Sequence, residues 1–386
     1  MKKLCKALAL TLSTVMLLST LTVVGDPGGK SALTLEEAKK IALENDVQFK
    51  LQQSYIQQKS EDYDDVYDKY SNGPKDNYNS IVERAEGEIS YKIAIENAAF
   101  AVRQEIFERN DLKRKSNYDV TEAYYDVMNA KYSLEDAKRA MELAKKDLDI
   151  AKIKFEQGLL TKNALSQVEN AYTTSQTEYN KTFSDIQNYM ATLSRNIGKN
   201  LDVFNDEIDM TLNISDVKVL DLNKIKEDYM KNSSDFYALK ESLDIAEYQQ
   251  QLTEEKYDYY EKRLPQRSAK IEDALDDMKY KADRDYDNAK YKSSEAEKTL
   301  DVTLNSLYTG VNTLFETVKT LQKNVDDTRT TVELNKIIYE QGQISRIDFE
   351  KSESALKDLE NTLNTTIISL NTQYLALTQY SYTPEK

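Results

Sequence analysis

Apolar and small residues recur at alternating steps of four and three over two adjoining stretches of this chain, 120–155 and 165–197. Each stretch is a heptad seam of the kind that winds α-helices around one another. Only the segment 155–161 joins them. Gly158 suits the left-handed residue that ends a helix, and Thr161 suits the cap that begins the next one. Two seams joined by so short a turn predict an antiparallel helical hairpin.

The same pattern recurs 184 residues further along the chain. The sequence YEQG at 339–342 repeats FEQG at 155–158, and heptad seams flank it over 304–339 and 349–377. Coiled coils resemble one another by chance, but a shared turn held in register with both flanking seams indicates an internal duplication.

Each copy begins upstream of its hairpin with a further helix. Thr34 and Glu37 form a capping box that opens a helix running towards residue 70, and its counterpart begins near Leu222. Each copy is therefore expected to contain three helices, with Gly73-Pro74 and Leu264-Pro265 marking the other reversals. The second helix of the first copy, over 85–157, would be about 110 Å long, a length that no compact domain needs.

The composition supports long helices. The 386 residues include only 9 Gly and 4 Pro, 31% are charged, and the mean hydropathy is -0.70. Few breakers with many charges point to long helices that each bury a narrow stripe. The predicted fold class is all-α: long antiparallel helical hairpins or coiled coil in two tandem repeats, with little or no β structure.

The N-terminus is expected to be a signal peptide, residues 1–25. Lys2, Lys3 and Lys6 precede an apolar run over 7–24, which is typical of an exported protein. The lone cysteine, Cys5, lies before this run and would be lost with it. The mature chain is then expected to comprise a first helical repeat over 33–198, a connector over 199–221 and a second repeat over 222–380. Apolar runs in the connector allow short strands or irregular structure.

The residue types argue against an enzyme. The chain has no histidine, and without Cys5 it has no thiol, so the usual nucleophilic and metal sites are missing. No glycine-rich phosphate loop occurs, and no cofactor is expected. The formal charge of -15 disfavours nucleic acid as a partner.

The arrangement resembles the TolC family of outer-membrane efflux and secretion ducts over about 33–380. The opening LTLEEA at 33–38 with Ile41 and Asn45 is similar to the family's N-terminal signature, and the paired glycine turns and the duplication are family traits. The resemblance implies a homotrimer that forms a hollow α-helical barrel, a passive conduit for efflux or type I secretion. It also implies a periplasmic-type adaptor, an inner-membrane pump of the ABC or RND class, and a place in the cell envelope at the outer membrane.

The resemblance also implies that the two turns touch the adaptor. These candidate contact residues are Gly158, Leu159, Leu160, Thr161, Gly342, Gln343, Ile344 and Ser345. They could equally do no more than make two tight hairpins.

One acidic residue near the second turn is a candidate for the pore constriction. Asp348 lies six residues beyond Gly342, where the resemblance implies a ring of acids that favours cations and resists anions. Lys351 stands where a second acid is expected, and Ala164 stands at the matching place in the first copy. Ser345 and Asp348 also read as a helix cap followed by a first-turn acid, and the two interpretations are compatible.

The chain departs from the family where the strands of a membrane β-barrel are expected. Neither 60–80 nor 257–291 alternates apolar and polar residues over a useful length, and both carry many charges. Helices and turns are predicted there, so a membrane anchor is not evident. A coiled-coil spacer or scaffold of the cell envelope is therefore an alternative to a duct.

Overall fold

The computed structural model describes residues 32–73, 78–202, 207–215, 217, 220–263 and 268–380. The predicted signal peptide lies outside these residues, as do Pro74, Leu264 and Pro265 at the expected reversals.

Eight helices make up almost all of the described chain. They are α1 Leu35–Asn45, α2 Val47–Tyr70, α3 Ile81–Glu156, α4 Lys162–Ile197, α5 Leu222–Asn232, α6 Ser234–Arg263, α7 Ala269–Glu340 and α8 Arg346–Thr378. The all-α prediction is confirmed, and α1–α4 recur in the same order and with similar lengths as α5–α8.

The expectation of three helices per copy is wrong, because the first helix of each copy is broken in two. Asp46 has an extended backbone, with φ -66° and ψ 109°, and its carboxylate accepts a hydrogen bond from the Phe49 amide. Ser233 breaks the second copy in the same way, with φ -77° and ψ 147°. A side chain that caps the next helix competes with helix continuation, so the break lies at these residues.

The two longest helices, α3 with 76 residues and α7 with 72, are each about 110 Å long. The shorter helices pack beside them. Around the glycine turns, α4 packs on α3, α3 on α8 and α8 on α7. Towards the opposite end, α2 packs on α3, α3 on α6 and α6 on α7. At both levels the chain is therefore mainly a single layer of four helices, edged by α7 on one side and by α4 or α2 on the other, although α3 and α7 also touch over a short stretch.

Two apolar clusters hold the layer together near its middle. The first joins α1, α3, α4 and α8 and includes the fully buried Val127, Met128 and Leu193. The second joins α5, α6, α7 and α8 around Val311 and Leu370. Most residues of each cluster come from one copy, so each repeat has its own core, and Ile368 of α8 joins the core of the first copy.

The described part of the connector between the copies is irregular, which is one of the two structures that the sequence allowed, the other being short strands. It carries one isolated parallel bridge, between Leu33 and Ile208. The Tyr124 hydroxyl lies 2.8 Å from the carbonyl oxygens of both Leu33 and Asp209, and its single proton is shared between them. Asn371 of α8 holds the connector further on, since its Oδ1 accepts from the Ser215 amide at 3.1 Å. The connector is thus fixed to both long hairpins.

Helices and turns occupy the described parts of 60–80 and 257–291, as predicted. An apolar cluster around Ala85, Tyr260 and Leu275 packs the beginnings of α3 and α7 against the end of α6. Among the described residues, no helix combines the length and the apolar character that crossing a membrane requires.

Candidate functional site at the glycine turns

The two glycine turns have the same backbone geometry. Gly158 and Gly342 both have φ +73°, in the left-handed region that glycine adopts without steric cost. In the first turn the Leu159 amide donates to the Lys154 carbonyl at 2.8 Å, and in the second Gln343 donates to Ile338 at 3.0 Å. These bonds satisfy carbonyls that the end of a helix leaves free. The predicted helix ends are confirmed in both copies.

A hydroxyl side chain begins the outgoing helix of each turn. Thr161 Oγ1 accepts from the Ala164 amide at 3.2 Å, and Ser345 Oγ accepts from the Asp348 amide at 3.2 Å. Each cap occupies one of the free amides of a first turn, which fixes the direction in which the helix leaves. The turn residues therefore supply the hydrogen bonds that end one helix and begin the next.

Ion pairs between α3 and α8 bring the two turns to the same end of the layer. Lys146 Nζ lies 2.5 Å from Glu350, and Lys351 Nζ lies 3.1 Å from Asp147. The two helices are antiparallel, so the residue numbers of paired positions increase along α3 as they decrease along α8. Continuing the pairing towards the turns puts Gly342 close to the level of Phe155.

The end of the layer exposes apolar side chains. Leu159 is 72% exposed, and Ile150 and Ile153 on α3 are exposed as well. Leu334 and Ile337 on α7 are exposed at the corresponding positions of the second copy. In the second turn, Gln343 and Ser345 are exposed, and Tyr339 stacks on Phe349 with ring centroids 5.4 Å apart. The first turn thus presents a more apolar surface than the second.

The remaining contact candidates divide in the same way. Leu160 and Ile344, at equivalent positions, are partly covered, while Thr161 and both glycines are exposed. All eight candidates lie at one end of the molecule, where they form two neighbouring loops.

Asp348 is an exposed residue in the first turn of α8. Its carboxylate accepts a hydrogen bond from Ser345 Oγ at 2.6 Å, and its amide donates to the same hydroxyl. The predicted cap is therefore present. Lys351, which stands where a second acid is expected, points at Asp147 of α3 and helps to join the two hairpins.

Glu350, two residues further along α8, has a lowered pKa. Lys146, and then Arg346, bond to Glu350 and hold the pKa of its carboxyl below the usual value. Lys146, Arg346 and Lys351 are thus each paired with an acid. No group of three or more histidine, cysteine or carboxylate side chains in the described part of the chain is placed to hold a metal ion.

Sequence reasoning missed a charged cluster further along the α3–α8 contact. Arg139 lies 2.9 Å from Asp358 and also pairs with Asp136, whose Oδ1 accepts from Asn361 Nδ2 at 2.6 Å. Asn361 is only 1% exposed. Asn361 shares a heptad position with Ile368 and Leu375, but it lies off the seam predicted over 349–377, so the pattern did not predict its burial.

Comparisons with known proteins bear on the fold. No family model matches the sequence, and no curated protein matches it. Solved structures do. The CmeC outer membrane channel of Campylobacter jejuni matches with a TM-score of 0.63 and 13% identity, over 90% of this chain and 85% of that one. The outer membrane protein VceC of Vibrio cholerae matches with a TM-score of 0.63 and 13% identity, over 90% and 95%.

The open MtrE outer membrane channel of Neisseria gonorrhoeae matches with a TM-score of 0.61 and 10% identity, over 90% of this chain and 88% of that one. This chain has the TolC fold. The resemblance read from the two turns and the duplication is thereby confirmed at the level of the fold. Within the TolC fold the two glycine turns lie at one end of the helical layer, and the described helices fill the rest.

Replacing a turn glycine tests the geometry of the TolC-like hairpins. Gly158→Val and Gly342→Val are each expected to lower the free energy of unfolding by about 1–2 kcal/mol, because a β-branched residue resists positive φ. A Cβ at either position would meet nothing within 4 Å, so backbone strain alone produces the loss. Urea unfolding measures it. Gly158→Asn is the control, since Asn tolerates this region, and a Val variant as stable as the Asn variant would contradict the turn.

Proposed function

We propose that this protein is a duct component of the cell envelope, a passive conduit for efflux or type I secretion. Several copies, three by the resemblance, close side by side into a hollow helical barrel. The glycine turns face an adaptor protein that joins the duct to an inner-membrane transporter. The chain is exported and acts in the envelope, at the outer membrane if the resemblance extends to its location.

The observation that carries the proposal is the single layer of four helices with an uncovered helix at each edge. A layer one helix thick cannot enclose its own apolar surface, and Tyr280, Tyr291 and Val302 remain exposed along α7. The exposed stripe extends over roughly 30 Å of that helix. Copies joined edge to edge cover both edges and leave an axis that is open.

The adaptor contact is supported by the exposed apolar residues of the first turn. Leu159 stands clear of the helices, flanked by Ile153 and Phe155, and such a patch suits insertion into an apolar groove on another protein. The polar second turn lies beside it, so an adaptor tip would meet alternating apolar and polar loops around the ring.

The alternative function is a closed spacer or scaffold of the envelope. The end of each copy opposite the glycine turns favours a spacer, because the described residues of 60–80 and 257–291 there continue the coiled coil. A spacer has a filled axis, whereas a duct has an open one.

Native mass measurement and electron microscopy of the mature protein separate the two functions. We expect a homotrimer whose end-on views show a central hole. A monomer or dimer at all concentrations, or an oligomer with a filled axis, overturns the duct. Efflux by cells that carry the gene with those of an adaptor and a transporter, compared with cells that lack it, tests the conduit directly.

Asp348 gives a selective test of the pore. If three copies ring the axis, Asp348→Asn lowers the ratio of cation to anion permeability of reconstituted assemblies, since a ring of negative charge is lost. Ala164→Asp is the matched variant: it adds an acid at the equivalent place in the first copy and should raise the ratio. Unchanged selectivity in both would leave Asp348 as a helix cap, worth about 1 kcal/mol or less.

A further inference from the structure

A cavity of about 770 Å³ lies along α3, lined by residues of α2, α3 and α6 and by Gln379 at the end of α8. Its α3 wall extends from Glu105 to Tyr118, about 20 Å along the helix. Sites for small molecules typically occupy about 300–1,000 Å³, so this cavity is large enough for one. It lies about 60 Å along α3 from Gly158 and is therefore separate from the glycine turns.

A buried amide forms part of the cavity wall. Gln52 of α2 is only 4% exposed. Its Nε2 donates to the backbone carbonyl of Glu105 at 3.2 Å and to the carboxylate of the same residue at 2.6 Å. No residue in the described structure donates a hydrogen bond to the Oε1 of Gln52. An amide oxygen that is buried without a donor costs free energy, so a donor placed in the cavity would bind there favourably.

Two half-buried carboxylates in the cavity have only neutral partners. Glu105 accepts from the amide of Gln52, and Glu108 Oε1 accepts from Gln104 Nε2 at 3.3 Å. Neither acid forms an ion pair with a cation in the part of the chain that the structure describes. The two acids are three residues apart on α3, so their negative charges lie on the same face of the helix. A cation between them would be attracted by both.

Tyrosine rings lie at both ends of the cavity. Tyr55, 44% exposed, follows Gln52 by one turn of α2 and so lies near Glu105. Tyr118 lies at the other end of the α3 wall and is half-buried. Burial, and then the charge of Glu122, raise the pKa of the Tyr118 hydroxyl above its usual value, so this ring stays neutral. Aromatic faces beside carboxylates are typical of sites that bind alkylammonium ions.

The cations of the cavity lie away from these two acids. Arg114 is about 14 Å further along α3 than Glu105, and it donates to Asp111 at 3.2 Å and to the Gln379 carbonyl at 3.3 Å. Lys115 is exposed beside it. The charged residues that line the cavity are four acids and two bases: Glu105, Glu108, Asp111, Asp235, Arg114 and Lys115. The cavity therefore favours a cationic ligand over an anionic one.

We propose that this cavity binds an organic cation, a protonated amine carried on an apolar body. The ammonium group lies between Glu105 and Glu108, beside the ring of Tyr55, and donates one N–H to Gln52 Oε1. The apolar body extends along α3 past Leu112. All of these residues belong to one chain, so the inference goes beyond the proposed duct and does not depend on the assembly of several copies.

Calorimetric titration of the full chain with 4-phenylbutylamine tests the site, because this probe carries a protonated amine on an aromatic body. We expect the amine to bind at least about tenfold more tightly than 4-phenylbutyrate, which places an anion on the same body. The neutral 4-phenylbutanol should bind with intermediate affinity. Equal binding of the amine and the carboxylate, or no binding of the amine, overturns the proposal.

Variants that remove charge locate the binding. Glu105→Gln and Glu108→Gln each remove one negative charge at nearly constant size, and each should weaken binding of the amine about tenfold. Glu142→Gln is the matched control, since Glu142 is an exposed acid of α3 outside the cavity, and it should leave the affinity unchanged. Amine affinity that is the same in the parent protein and all three variants would place the amine elsewhere.

The hydrogen bond to Gln52 has its own test. The N-trimethylated form of 4-phenylbutylamine keeps the charge and the body but has no N–H, so it should bind the parent protein less tightly than the amine. Gln52→Leu should weaken the amine about fivefold more than it weakens the trimethylated compound. Circular dichroism shows whether the variant is folded. Equal weakening of both compounds in a folded variant, or equal binding of both to the parent protein, contradicts the position proposed for the ammonium group.

A fluorescent reporter shows where the amine binds, because the chain contains no tryptophan. Tyr55→Trp places an indole beside the acidic end of the cavity, and the amine should change its emission. Tyr189→Trp is the control: Tyr189 lies on α4 and is exposed to a similar extent, 41%. Its emission should not respond. The same response from both variants, or a response from neither, overturns the proposal without relying on any change of charge.

Discussion

Leu193→Ala and Leu377→Ala are each expected to lower the free energy of unfolding by about 3–5 kcal/mol. Both side chains are 0% exposed, and they occupy equivalent positions in the two copies. Each truncation removes apolar contacts and leaves a cavity in a cluster where several helices meet, so the surroundings cannot collapse onto the space. Urea unfolding followed by circular dichroism measures the loss.

Leu159→Ala is the control for these two variants. Its side chain is 72% exposed at the first turn, so truncation should change stability by less than about 0.5 kcal/mol. Similar losses at Leu193 and Leu377 are expected because the duplication gives each copy its own core. A large loss at one position and none at the other would show that a single cluster carries the stability of the whole layer.

Much of the fold was predictable because its determinants are local. Heptad spacing determines which face of a helix is buried, and the glycine and hydroxyl residues of the turns determine where helices end. Gly158, Thr161, Gly342 and Ser345 take the conformations expected of them. The break at Asp46 also has a local cause, its capping side chain, but the sequence prediction placed this residue inside one continuous helix.

The arrangement of the hairpins was harder to predict, because a heptad pattern shows which face of a helix is buried but not which helix packs against that face. Nothing in the spacing of α3 distinguishes α4 from α8 as a neighbour, and the structure shows that α3 contacts both. The polar residues at the α3–α8 contact, above all Asn361, can be recognised as contact residues only when the positions of the two helices are known. The adaptor contact proposed for the turns would depend on a second protein, so no local pattern in this chain determines it.

Arg139→Met is expected to lower the free energy of unfolding by about 2 kcal/mol near neutral pH. Arg139 links Asp136 of α3 to Asp358 of α8, and its side chain is 19% exposed. Removing one member of a buried charged group leaves the others uncompensated, which costs about 3–5 kcal/mol when burial is complete. Partial exposure of both acids, at 39% and 54%, reduces that cost by solvent screening.

The loss should shrink as the pH falls. Burial raises the pKa of the Asp136 carboxyl above its usual value, while its bond from Asn361 and the charge of Arg139 oppose the rise. Without Arg139 the pKa rises further. A carboxyl whose pKa is raised on folding binds its proton more tightly in the folded chain, so the folded state gains stability as the pH falls from the folded pKa towards the unfolded one. The variant should therefore approach the parent protein in mildly acidic solution.

Arg329→Met is the matched control. Arg329 also bridges two helices, with Glu360 at 2.9 Å, but it is itself 49% exposed, and its other partner, Asp326, is 72% exposed. Its loss should be clearly smaller than that of Arg139→Met, because surface ion pairs contribute little to stability. Urea unfolding of both variants at several pH values makes the comparison. An Arg139→Met deficit that is constant with pH, or no larger than that of Arg329→Met, would show that the Arg139 cluster contributes no more to the α3–α8 contact than a surface ion pair does.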